Sequence, residues 1–213
     1  QVAYREAIKG EAAGEGKYIR QSGGRGQYGH CKIIISPNEE AKGFEFKDET
    51  VGGVIPKEYI RPIADGIREA AMGGVLLGYE MVDFKVRLVD GSFHEVDSSE
   101  MAFKIAGSMA FRDAALKAQP TILEPLMDVE VSAPEEYLGT ILSTISSRRG
   151  MIRSIDDRLG LKIVRADVPL SEMFGYTTDL RSVTQGRGNS MMQLKCFAEV
   201  PASEREKLLK KGG

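Results

Sequence analysis

Four residues within a six-residue stretch, His94, Asp97, Ser98 and Ser99, have the side-chain types of a nucleophilic triad. The chemistry would be acyl transfer, a serine hydroxyl attacking while the imidazole takes its proton. A triad is defined by geometry, however, and residues this close along a chain share one turn. Asp97 with Glu100 three residues later also resembles a helix-capping pair, so capping alone accounts for Asp97 and Ser98. A small hydrolase using His94 and Ser98 therefore stands only as a rival class. His94 itself lies in Asp90-Gly91-Ser92-Phe93-His94-Glu95, between a strand and a helix start. An imidazole there can donate to phosphates or base edges; an exposed turn histidine without a role fits the same residues.

The second candidate is Ser22 to His30, with four glycines in nine residues. Glycine permits positive φ and close approach of backbone to a partner. With Arg25, Gln27 and Tyr28, such a loop suits contact with a phosphate backbone and stacked bases. A loose hairpin connection with nothing bound is the alternative.

Other chemistry is thin. Cys31 and Cys196 are too few for a disulfide framework, and too few for a zinc site with His30 and His94. The chain contains no G-x-x-x-x-G-K-[ST], and Gly186-Arg187-Gly188 is not a phosphate loop of that kind. No catalytic, cofactor or metal site is expected within these residues. With 29 basic and 31 acidic residues, the net charge is −2, which argues against a general nucleic-acid coat. Any RNA contact must be local: Arg20 with Arg25, Arg148 and Arg149 with Arg153, or Arg181 with Arg187. Surface arginines paired with Asp156, Asp157 or Asp179 are the competing reading.

The elements that position these groups read as follows. Residues 1 to about 36 are strand-like, with runs over 17–21 and 31–36 flanking the glycine loop. Gln1 to Arg5 reads as a strand entered midway, so an internal boundary of a longer protein is expected there. Ile60, Ile63, Ile67 and Ala70 or Ala71 form one helical stripe, which Pro62 is expected to interrupt and Gly73-Gly74 to end. Phe84, Val86 and Leu88 alternate with Lys85 and Arg87, a strand with one wet face. Met101, Ile105 and Met109 are expected to be the buried stripe of the next helix. A domain boundary is placed around 121–125. Beyond it the order βαββαβ, closing with a strand over 191–197, reads as a ferredoxin-like fold. The segment from Pro201 is a charged tail.

Five blocks in register carry a resemblance across nearly the whole chain: Gln21 to His30, Gly52 to Ile60, Gly91 to Lys104, Val168 to Tyr176, and Asp179 to Gly188. Together they resemble the fourth and fifth domains of bacterial-type elongation factor G. The resemblance implies an α+β protein of two domains. Residues 1–120 would be an α/β sandwich of the type found in a small-subunit ribosomal protein's second domain. Residues 122–200 would be a ferredoxin-like domain, with 201–213 as a tail. It implies a tip formed by Gly24, Arg25, Gly26, Gln27, Tyr28, His30 and His94, which enters the decoding site of the small ribosomal subunit during translocation. It implies a second contact through Arg148, Arg149, Arg181, Gln185 and Arg187, near the stalk base of the large subunit. Phe93 departs from the tyrosine more usual before the tip histidine. The implied partners are the ribosome, tRNA and mRNA. The chain itself would be no enzyme, GTP being bound by a preceding domain of the parent GTPase. A cytoplasmic monomer without membrane contact is expected. A ribosome-recycling or ribosome-protection paralogue would share both folds.

Overall fold

The computed structural model describes residues 1–212. They form two compact units: Arg5–Ile122 with Val200 onward, and Gln1–Tyr4 with Leu123–Glu199. The change of unit needs no turn. It falls inside one strand, β6 (Pro120–Pro134).

The first unit holds β1 (Arg5–Ile8), β2 (Ala12–Arg20), β3 (Gln27–Pro37), β4 (Phe44–Asp48), α1 (Ile60–Met72), β5 (Phe84–Ser92), α2 (Glu100–Lys117) and, from the end of the chain, α5 (Ala202–Lys211). Its four-stranded sheet has the order β2-β3-β5-β4. β4 pairs with β5 in parallel, and the other pairs are antiparallel. The alternation expected in β5 is observed: Phe84, Val86 and Leu88 are buried against Ile33, Ile35, Ile63 and Ile67. Pro62 does not interrupt α1. It occupies the first turn, where the missing N–H has no intrahelical partner to lose. Gly73 caps the helix, and Gly74 turns away with φ +59°.

The stripe expected for α2 is on the wrong side. Met101 is 65% exposed and Met109 39%, while Ala102, Ala106, Ala110 and Ala114 are fully buried with Phe103 and Phe111. The cause is the surface beneath. A Cβ on Gly16 would lie 1.8 Å from the Ala106 carbonyl oxygen, and one on Gly29 would lie 2.4 Å from that of Ala102. The helix thus rests backbone-close on β2 and β3, and only alanine fits between.

The second unit is β6, α3 (Leu138–Ser147), β7 (Met151–Arg158), β8 (Leu161–Pro169), α4 (Tyr176–Val183) and β9 (Asn189–Glu199). The strands run β9-β6-β8-β7, every neighbour antiparallel. This is the ferredoxin-like arrangement expected from the element order. Ile141 and Ile145 of α3, with Tyr176 and Leu180 of α4, cover Val129, Val131, Val164 and Ala166. Among the described residues, no helix is long and apolar enough to cross a membrane.

Candidate functional site

The β2–β3 hairpin puts the glycine loop at 21–26, so the connection is shorter than Ser22 to His30 suggested. Gln27, Tyr28 and His30 belong to β3. Gly23 takes φ +48°, and nothing lies within 4 Å of the Cβ positions of Gly23 or Gly24. The loop end is therefore open.

The turn between β5 and α2 is tied to that hairpin. The Tyr28 N–H donates to the Asp97 carbonyl at 2.9 Å. The Ser98 hydroxyl donates to the Tyr28 carbonyl at 3.0 Å and accepts the His94 N–H at 2.9 Å. The Arg25 Nε donates to the Val96 carbonyl at 3.1 Å. The rings of Tyr28 and His94 lie 6.2 Å apart. A cleft of about 230 Å³ opens between the two segments, lined by Arg25, Gly26, Gln27, Asp97, Ser99 and Met101. Two stretches about seventy residues apart thus form one surface, held by backbone hydrogen bonds and a buried serine.

His94 is the exposed centre of this surface, its side chain 55% accessible. Its Nδ1 accepts the Asp97 N–H at 3.2 Å, so in the neutral ring Nε2 carries the proton and is the outward donor. The nucleophilic triad does not form. Ser98 is 4% exposed and meets the backbone N–H of His94, not its ring. Ser99, not Asp97 or Ser98, is the N-cap of α2, its Oγ accepting the Ala102 N–H at 3.1 Å. Asp97 instead places a carboxylate oxygen 3.6 Å from His94 Nδ1. Cys31 on β3 is buried, and burial pushes its thiol up to about 12, which leaves it unreactive.

His30 is not at the open end. It stands in the body of the sheet, with Nδ1 2.7 Å from Ser92 Oγ and Nε2 2.7 Å from Glu15 Oε1. Neither Glu15 nor Ser92 was singled out by sequence. The signal available was the register, since His30 is opposite Ser92 on β5 and lies across β2 close to Glu15.

The second-unit arginines separate into two kinds. Arg148 caps the end of α3, donates to the carbonyls of Glu172 and Phe174, and pairs with Asp179 at 2.5 Å. It also stacks over Tyr176, 5.0 Å from the ring centre. Arg149 donates to both oxygens of the buried Glu124 and to Glu172. Its charged form is favoured chiefly by the Glu124 hydrogen bonds. Both guanidinium groups are engaged with acceptors inside the unit, Arg148 17% and Arg149 26% accessible. Arg181, Gln185 and Arg187 are all exposed, Arg181 in the last turn of α4 and the other two just beyond its end. There Gln185 adopts φ +54°, and Arg187 pairs with Glu136 at 2.7 Å over the ring of Tyr137.

Residues 1–119 match the family model of elongation factor G, domain IV, and residues 121–208 match that of the elongation factor G C-terminus. The chain belongs to the elongation factor G family. The crystal structure of a protein from Thermus thermophilus is similar over 100% of this chain, at 40% identity and with a TM-score of 0.88. The chain spans 32% of that protein's length. In these terms the joined hairpin and turn lie in the domain IV match, and the exposed residues at the end of α4 lie in the C-terminal match.

Proposed function

We propose that this chain is the ribosome-contacting C-terminal part of a translational GTPase that moves tRNA and mRNA during protein synthesis. The nucleotide would be handled by another part of the parent protein. Domain IV enters the aminoacyl site of the small subunit with Gly24, Arg25, Gly26, Gln27, Tyr28 and His94 foremost. It acts by occupying the space vacated by tRNA, which hinders slippage back. No bond is made or broken by these residues; shape and positioned donors do the work. The exposed Arg181, Gln185 and Arg187 supply a second contact to large-subunit RNA, where arginine forks suit phosphate oxygens.

The meeting of the 21–26 loop with the 93–99 turn carries this reading, because it leaves His94 with an outward N–H on a preorganised support. In the full-length parent, His94→Ala should slow translocation by about tenfold, roughly 1.4 kcal/mol of barrier. Ribosome-stimulated GTP hydrolysis should stay nearly unchanged. Equal loss of both activities would overturn the reading.

A further inference from the structure

Four side chains on the helix-free face of the first unit's sheet are joined end to end. His30 on β3 stands between Glu15 on β2 and Ser92 on β5, 2.7 Å from each. The same Ser92 Oγ lies 2.7 Å from the hydroxyl of Tyr28, which is two residues before His30 on the same face. The His30 side chain is only 13% exposed, so water does not readily replace these partners.

Hydrogen-bond valence fixes the direction of this chain. A neutral imidazole has one donor and one acceptor nitrogen, and a carboxylate only accepts. The proton of neutral His30 is therefore on Nε2, facing Glu15, and Nδ1 accepts. Ser92 must donate its proton to Nδ1, which leaves its oxygen to accept from Tyr28. Tyr28 then shows outward only the lone pairs of its oxygen. If His30 gains a second proton, Nδ1–H donates to Ser92. The serine hydroxyl turns to donate to the Tyr28 oxygen, and the Tyr28 proton is released to point outward.

The charges around His30 are Glu15 and Lys17 on β2, Lys32 on β3, and Asp90 on β5 opposite Lys32, with His94 beyond Tyr28. The Glu15 carboxyl is held below the usual carboxylate range, first by its hydrogen bond from His30 and also by Lys32 and Lys17. An ionised acceptor for Nε2–H is thus secured across the neutral range.

We infer that Glu15, His30 and Ser92 are positioning residues that set the direction of the Tyr28 hydroxyl proton, so that the protonation state of His30 decides whether Tyr28 offers a partner an acceptor or a donor. On the reading proposed above that partner is RNA. The acceptor form suits a ribose 2′-hydroxyl or a base amino group, and the donor form suits a phosphate oxygen. That consequence rests on the proposed function. The relay does not, and its test is made on the free chain.

The chain has two histidines, so ¹⁵N-histidine and ¹³C-tyrosine NMR across pH resolves both, with His94→Gln identifying His30. Neutral His30 should be the Nε2–H tautomer. The Tyr28 Cζ resonance should move with the same midpoint as His30. In Ser92→Ala, His30 should still titrate while Tyr28 no longer follows, and Ser92→Thr should restore the coupling. A Tyr28 resonance indifferent to His30 in the unaltered chain, or still following it in Ser92→Ala, would overturn the relay. The unaltered chain decides the matter even if Ser92→Ala fails to fold, and whatever His94→Ala does to translocation.

Discussion

Arg149 holds Glu124 with both arms of its guanidinium, at 2.9 and 3.0 Å, and its own backbone sits in the left-handed region at φ +56°. Glu124 lies near the start of β6 and Arg149 just after α3, so the pair joins the first strand of the ferredoxin-like unit to its first helix. The Glu124 side chain is only 5% exposed. Removing its partner leaves a carboxylate buried and unpaired. Breaking a buried pair typically costs about 3–5 kcal/mol, and with Arg149 itself partly accessible the lower end applies. Arg149→Gln should therefore lower unfolding stability by about 3 kcal/mol. Arg149→Lys should recover only part, because an ammonium does not match both oxygens. Urea unfolding of the purified chain measures this. Unchanged stability with weakened ribosome binding would return Arg149 to the contact surface.

The closeness of α2 to β2 makes a second prediction. A methyl group at Gly16 would meet the backbone of Ala106, which cannot yield as a side-chain end would. Gly16→Ala should destabilise the first unit by about 3 kcal/mol, the upper end of overpacking costs. Gly24→Ala, with nothing within 4 Å, should change stability by less than about 0.5 kcal/mol. The two unfolding midpoints, measured side by side, separate packing from loop composition. Similar midpoints would mean that α2 does not rest on Gly16.

Acid should loosen the same contact. The carboxyl of Asp113 on α2 is held below the usual carboxylate range, first by accepting the Glu15 backbone N–H and then by Lys117. Glu15 is likewise depressed by His30. A depressed native value means that the unfolded chain takes up these protons first as pH falls. The stability they contribute is complete above the ordinary carboxylate value of about 4 and is lost progressively below it, through the lower native values. Denaturation midpoints compared at about pH 6, 4.5 and 3 should fall toward acid, and Asp113→Asn should flatten part of that fall. A variant with the same acid slope as the parent chain would exclude Asp113 as a source.

Much of this was legible along the chain. The Ile63–Ile67 stripe, the alternation of β5 and the βαββαβ order follow from periods of about 3.6 and 2, which local burial imposes whatever the neighbours are. The glycine loop and the histidine turn were visible as candidates, and their family blocks were in register. Three matters were decided only by the folded chain. Met101 and Met109 outrank alanine in hydropathy, yet the alanine face of α2 is buried, because the glycines of a distant hairpin leave no room for anything larger. Arg148 and Arg149 look like surface charges in sequence, but acceptors on other elements draw them inward. The roles of Glu15 and Ser92 depend on strand register, which brings both beside His30 from the two neighbouring strands. Sequence determines the faces that each element can offer; which faces meet, and which polar groups find partners there, is settled by tertiary packing, because those contacts lie between residues far apart in the chain.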